Sequence, residues 1–356
     1  MFAKDKNNKR NFVSIIWGYH EHFYGFYPDE NYHLHILKIA KSLGLKPWII
    51  IKGDKNIIKN DPNFDPDIEI IEYENIFNFI FQVIRFSLQN SLFYINSLEW
   101  QSFIVPFLSR KTIFMAHTQP KRQTPLKQKI QNFVYRFFTA IRLNNEAEKE
   151  FLIQQGTDIK KLFVIPLIVS QNIFKLTNVD QERKDLVYFG NISPIKNIPT
   201  IIKALGLVNQ KYSDIKLNIV GKNYIKDFLK EEFESNPNII LHGYMDQDSK
   251  LANLLNLTLI SINSSLSEGQ CVAVYDTALC GNVLCLPKIM SFTYTFKDKA
   301  LFHDIYDYEE LAKNILYYLD NPDIIKRYQK ECVEMIEKDY STDMIENKLK
   351  DLIKNI

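Results

Sequence analysis

Short apolar runs bounded by polar residues alternate along the chain with longer stretches whose apolar positions recur every three or four residues, the pattern of repeated βα units. Mostly parallel sheets are therefore expected. In the first half the runs predict strands at 12–17, 47–51, 68–73, 92–95, 112–116, 141–143 and 162–165, the last ended by Pro166. Helical spacing predicts helices at 33–43, 77–88, 125–139 and 146–155, the first with Leu34, Leu37, Ile39 and Ala40 facing inward. Residues 168–184 are polar and aperiodic, as an interdomain linker would be. The second half predicts strands at 186–189, 216–220, 239–242, 257–262, 283–286 and 301–302. Its helices are expected at 198–209, 225–234, 249–254, from about 270, and at 308–319, 322–338 and 344–356. Two Rossmann-like halves with a cleft between them follow from this order, and no internal repeat of solenoid length is visible.

Composition agrees with two packed domains: 356 residues, 46% hydrophobic and 24% charged, exclude disorder, collagen and coiled coil. The charge-free stretches 86–98 and 251–267, among the longest in the chain, are interrupted by Asn, Ser or Gln, so no membrane span is expected. The charged amino terminus lacks the apolar core of a secretory signal, which predicts a cytoplasmic protein. Cys271, Cys280, Cys285 and Cys332 are too few for a disulfide framework and lack paired CxxC spacing; reduced, buried thiols are expected.

The net charge of +2 is unevenly spread, with 23 Lys and Arg against 16 Asp and Glu in residues 1–178. Between Ser109 and Arg142 there are basic residues (Arg110, Lys111, Lys121, Arg122, Lys127, Lys129, Arg136, Arg142) and no acid. Phe133, Tyr135, Phe137 and Phe138 lie among them, as in interfacial amphipathic helices. Residues 121–142 are accordingly a candidate peripheral membrane contact at the inner face. The alternative, aromatics on the sheet and solvated cations, fits the pattern equally. No nucleic-acid-binding module is present, so no nucleic-acid partner is expected.

In open parallel sheets ligands bind beyond the carboxyl ends of strands, where loops offer N–H groups and helix N-termini offer partial positive charge. After the first strand of the second half stands Gly190-Asn191-Ile192-Ser193-Pro194-Ile195-Lys196-Asn197. Lys196 just before a helix suits a phosphate, although a surface lysine is common there. A later loop reads Ser264-Ser265-Leu266-Ser267-Glu268-Gly269-Gln270-Cys271 and leads into a helix carrying Asp276. Two acids bracketing an anion-attracting N-terminus suit a nucleotide sugar, with carboxylates on hydroxyls and amides on phosphate. A solvated loop acid and a helix-face acid are the plainer reading.

These segments together resemble a known family. Gly190 through Lys196, Gly221, Gly243, and the stretch EGQCVAVYDTALCG from Glu268 through Asp276 to Gly281 are similar to the retaining glycosyltransferases of family 4, which have the GT-B fold. The similarity continues in Asn145-Glu146-Ala147-Glu148-Lys149-Glu150-Phe151, Gly156, Lys161 and Pro166, and more loosely at His117. The resemblance implies two Rossmann-like domains facing across a cleft. Residues 1–170 would bind the acceptor, 171–335 the nucleotide sugar, and 336–356 would cross back to the first domain. It implies that Glu268 contacts donor hydroxyls, that Gly269, Gln270 and Cys271 present amides to sugar and diphosphate, and that Asp276 meets the ribose. Gly190 and Asn191 would line the diphosphate that Lys196 holds, and His117 would sit near the transferred sugar. No cofactor or catalytic metal is implied.

Three departures stand out. The family's arginine after the glycine at 190 is here neutral Asn191, and loss of one preorganised donor on developing charge costs roughly 3 kcal/mol. Lys222, after Gly221, is the candidate replacement. Asp276 is one methylene shorter than the usual glutamate, which shifts the ribose or needs a bridging water. The family's Gly-Gly turn after the first strand is absent from Gly18-Tyr19-His20-Glu21-His22. Of the pairs His20/His22 and His33/His35, the second falls in an expected helix, where residues two apart diverge, and no Cys or Asp ligand set of known spacing accompanies either, so no metal site is expected.

The expected activity is retaining transfer of a sugar from a nucleotide-diphosphate donor to a glycan, lipid-linked or other hydroxyl acceptor. Alternatives are a noncatalytic nucleotide-sugar-binding subunit of a glycosyltransferase complex, and a GT-B-like sugar-nucleotide epimerase.

Overall fold

A computed structural model describes residues 9–17, 32–61, 63–96, 100–116, 125–177, 183–223, 225, 227–245 and 248–356. Its contacts divide the chain into one unit of Met1–Ile168 with Thr342–Ile356, and a second of Val169–Ser341.

The first unit is a sheet of seven parallel strands: β1 (Asn11–Trp17), β2 (Lys46–Lys52), β3 (Glu69–Glu72), β4 (Leu92–Ile95), β5 (Thr112–Met115), β6 (Ala140–Leu143) and β7 (Leu162–Val164), in the order β3-β2-β1-β4-β5-β6-β7. The crossovers carry α1 (Tyr32–Ser42), α2 (Lys55–Lys59), α3 (Ile76–Leu88), α4 (Val105–Leu108), α5 (Pro125–Tyr135) and α6 (Glu146–Gln154). Alternation along β1 sends Val13 and Ile15 to one face, where Phe79, Val83 and Phe86 of α3, Val105 of α4, and Val134 and Tyr135 of α5 cover them. Phe12 and Ile16 point to the other face, under Leu34, Leu37 and Ala40 of α1. Burial on both faces is why these strands read as unbroken apolar runs. Local chemistry starts the helices: the Asn145 side chain accepts from the Glu148 N–H, and the Glu148 carboxylate accepts from the Asn144 N–H, a reciprocal cap for α6.

The second unit repeats the plan with β8 (Asp185–Phe189), β9 (Leu217–Val220), β10 (Ile239–Gly243), β11 (Thr258–Ile262), β12 (Val283–Pro287) and β13 (Leu301–His303), ordered β10-β9-β8-β11-β12-β13 and parallel. Its helices are α7 (Ile198–Asn209), α8 (Lys230–Ser235), α9 (Asp248–Leu257), α10 (Val272–Leu279), α11 (Met290–Phe296), α12 (Tyr308–Asp320) and α13 (Pro322–Asp339). The last helix, α14 (Thr342–Lys354), packs on α1 in the first unit through Ile345, Leu349 and Leu352.

Several elements differ from the pattern reading. The helix expected at 225–234 is reduced to α8, because Asp227 and Leu229 adopt positive φ (59° and 60°) and interrupt it. Helix α10 starts at Val272, so Gln270 precedes it. Helices α2, α4 and α11 were not anticipated. Arg142, counted among the surface cations, is buried and donates to the carbonyls of Ile165 and Pro166 and to the Tyr94 hydroxyl. Arg183, in the supposed linker, donates to the carbonyls of Leu255, Thr258, Cys280 and Gly281, tying the carboxyl ends of α9 and α10 together. Burial holds its guanidinium down at about 10. The four cysteines are free and buried.

Candidate functional site

Strand order reverses between β8 and β11, and these two strands pair directly, so the loops leaving their carboxyl ends are neighbours. After β8 the chain passes Gly190 and Asn191, makes one 3-10 turn at Pro194–Lys196, and enters α7 through Asn197, whose φ is 50°. After β11 it runs through Asn263, Ser264 and Ser265 to Glu268-Gly269-Gln270 and enters α10 through Cys271. Two contacts join the loops. The Leu266 N–H donates to the Ile195 carbonyl at 2.8 Å, and Lys196 Nζ lies 2.5 Å from Glu268 Oε1. With side chains only 18% and 9% exposed, this pair is far less screened than an ion pair on open surface.

The neighbouring strand ends support the same corner. The Gly190 N–H donates to Val220, the Gly221 N–H to Gly243, and the Ile192 N–H to the Lys222 carbonyl, each at 2.9 Å. Lys222 is exposed beside the Asn191 loop. Beneath it the buried Tyr188 hydroxyl donates to the Asn191 carbonyl at 2.8 Å. Burial pushes this phenol well above its ordinary range, with Cys271 and Glu268 adding to the shift. It stays a neutral donor and props the loop from below.

The Cys271 thiol lies among the charges of the site. Burial and then Glu268 push it up to about 12, with Lys196 opposing and Asp276 adding a smaller rise. A thiol so held is protonated at neutral pH and is no nucleophile. Asp276 is wholly buried on α10, where after burial it is the main influence raising Cys280, also to about 12.

The structure thus brings Gly190, Asn191, Lys196, Glu268, Gly269, Gln270 and Cys271 to one corner, with Lys222 at its margin. Gly269 and Gln270 are loop residues, so their amides precede the first turn of α10. Asp276 is near but enclosed. His117, His20 and His22 lie outside the described residues. His33 pairs with the Asn96 amide at 3.0 Å, while His35 Nε2 is 3.3 Å from Glu346, so the HxH spacing does not converge on one point. Among the described residues no group of three or more His, Cys, Asp or Glu is placed to hold a metal ion. No helix among them is long and apolar enough to cross a membrane.

Two contributors escaped the sequence reading. Asn263 Oδ1 accepts from the Ser265 N–H at 2.8 Å, and its amide nitrogen lies 3.7 Å from Cys271 Sγ, bracing the turn from strand to helix. His303, buried at the end of β13, has Nε2 3.1 Å from the Asn263 carbonyl and 3.3 Å from Ser264 Oγ. Its position at a strand's carboxyl end was the available signal. Three buried polar atoms of these loops, Asn191 Oδ1, Asn197 Nδ2 and Ser265 Oγ, have no hydrogen-bond partner among the described residues. Such atoms cost about 1–3 kcal/mol each when left unsatisfied.

The whole chain is similar in structure to proteins of low sequence identity. Anabaena HepE, in complex with UDP and glucose, superposes with a TM-score of 0.79 over 98% of this chain and 100% of its own, at 14% identity. A glycosyltransferase from Rickettsia africae gives 0.78 over 98% of both chains at 17% identity. Sucrose-phosphate synthase from Thermosynechococcus elongatus gives 0.75 over 97% of this chain and 99% of its own, at 14% identity. These likenesses establish the GT-B fold. No curated protein matches the sequence. Residues 169–341, the same residues that form the second unit, match the family model of the glycosyl transferases group 1.

Proposed function

We propose that the chain is a retaining glycosyltransferase of the family 4 type that takes a nucleoside diphosphate sugar on its second unit. The observation that carries this reading is the Lys196–Glu268 pair at the β8/β11 switch point. Each charge is held ready by the other in the free chain. A donor diphosphate would take over the ammonium, and sugar hydroxyls would take over the carboxylate. The family match of residues 169–341 supports the assignment, as does the structural similarity to HepE, solved with UDP-glucose. The unsatisfied atoms of Asn191, Asn197 and Ser265 are further groups that a polar ligand would satisfy.

In the reaction the bond from the anomeric carbon to the diphosphate breaks, and the acceptor hydroxyl forms its bond on the same face. A phosphate oxygen of the leaving group takes the hydroxyl proton. Lys196 stabilises the charge that develops on the diphosphate, so no metal is required for that role. Lys222 supplies the second cation that Asn191 lacks. Asp276 reaches the ribose through a water or after the loop before α10 shifts, since its side chain is enclosed in the free chain. His117 is assigned to the transferred sugar. The acceptor is a hydroxyl of a glycan or of a lipid-linked sugar, and the protein works in the cytoplasm, in contact with a membrane.

The test is incubation with UDP- and GDP-sugars and acceptors while nucleotide release and product anomers are followed. Acceptor-dependent release with retained configuration is expected. Neutral Asn191 favours a second reading, a noncatalytic donor-binding subunit, for which donor binds and no acceptor is glycosylated. An isomerised sugar without acceptor would identify an epimerase.

A further inference from the structure

The outer layer of the first unit formed by α3, α4 and α5 is at odds with a water-facing surface. Helix α3 already buries Phe79, Val83 and Phe86 against the sheet. Its opposite side carries Phe77, Phe81, Ile84 and Leu88, with Phe77 80% and Leu88 85% exposed. Their spacing of four, three and four residues makes one continuous stripe along the helix. The polar residues Asn78, Gln82 and Arg85 are confined to a strip between these two apolar faces, so α3 carries a second apolar face that a surface helix with one side on a core does not need.

Helix α5 repeats the arrangement. Val134 and Tyr135 face the same side of the sheet as the α3 core residues, while Leu126, Ile130, Phe133 and Phe137 are exposed at the same four-three-four spacing. Helix α4 closes the gap: it packs on α3, and the ring of its exposed Phe107 lies 4.5 Å from that of Phe137. Apart from Ile153 and Ile159, every exposed large hydrophobic of the described first unit lies on this layer. Among the described residues the opposite layer, α1 and α14, shows none.

The charges around this surface are of one sign. From Asn75 to Asn145 the sequence contains one acid, Glu99, against nine Lys and Arg. With Arg142 buried, the described exposed cations include Arg85 on α3, Arg110 after α4, and Lys129 and Arg136 on and after α5. A second copy of the same face would set cations against cations. A nucleic acid would gain from the cations and the rings but not from leucine and isoleucine along the crests. Aliphatic and aromatic crests flanked by cations suit the acyl boundary of a bilayer with anionic headgroups.

We infer that the α3-α4-α5 face docks on an anionic bilayer surface, α3 contributing as much apolar area as the basic segment around α5. The inference stands apart from the donor-site reading, because it rests on the first unit alone.

The test is co-sedimentation of the full chain with vesicles of phosphatidylglycerol and phosphatidylcholine, and with phosphatidylcholine alone, at low and high salt. Binding to the anionic vesicles, weakened by salt, is expected. The variant Phe77→Ser/Phe81→Ser/Leu88→Ser, whose side chains lie outside the core, should bind at least about ten-fold more weakly. Arg110→Gln/Lys129→Gln should lose about five-fold per cation and much of the salt dependence. Both should keep the wild-type melting temperature and donor binding. A wild-type chain left in the supernatant, binding unchanged in both variants, or a solution dimer dissolved by the serine substitutions would overturn the inference. Failure of glycosyl transfer with vesicle binding intact would count against the donor site and leave the docking face standing.

Discussion

A β-carbon on Gly221 would lie 1.9 Å from the carbonyl oxygen of Gly190. The two glycines, at φ of +148° and +151°, let the ends of β9 and β8 pass within backbone contact, which sets the course of the loop toward Lys196. Neither the conformation nor the space admits a side chain at Gly221. Gly221→Ala is expected to cost about 2–4 kcal/mol of stability and to weaken donor binding. Urea unfolding and donor titration check this, and an alanine variant with wild-type values would mean the strand ends can part freely.

Lys196 and Glu268 are predicted to be required for turnover. Lys196→Ala should lower kcat by roughly two orders of magnitude, the scale for losing one preorganised charge on a developing anion. Glu268→Ala should lose donor affinity as well, because its carboxylate also positions Lys196. Circular dichroism should show both variants folded. Full activity in either would remove the pair from the site.

The neutral Asn191 makes the cation at Lys222 testable by a two-residue cycle. Lys222→Ala should raise the donor KM by about ten-fold, and Asn191→Arg in that background should recover most of the loss. In the wild-type background Asn191→Arg should help less, because one role is then filled twice. Additive effects of the two substitutions would assign Lys222 to plain surface.

His35 links the first unit's stability to pH. Burial is the main cause that lowers its pKa below the ordinary 6.5, and Glu346 opposes it. The unfolded chain then takes up the proton more readily than the folded one. Stability is complete above pH 6.5 and falls as pH drops from there through the lower native value. His35→Leu should flatten that acid slope in denaturant titrations. An identical slope in both proteins would place the sensitivity at another group.

Much of the architecture was legible in periodicity, because strands buried on both faces and helices with one apolar face leave local signatures. The starts of α3 and α6 could be read from Asn75 and Asn145, whose side chains cap them. The site was legible as two motifs that the resemblance sets around one donor, but the direct contact between Lys196 and Glu268, 72 positions apart, has no local signature. It exists because β8 and β11 are neighbours, a consequence of the crossover order that no local window contains.

Residue types and their spacing determined the βα alternation, the two-unit plan and the chemistry of the strand-end loops. Tertiary structure decided which members of those patterns meet water. It buried Arg142 among carbonyls, enclosed Asp276, put His303 under the Asn263 turn, and left the second apolar stripe of α3 uncovered. The reason is physical: spacing specifies which residues share a face, but only the packing of one element on another specifies what lies against that face.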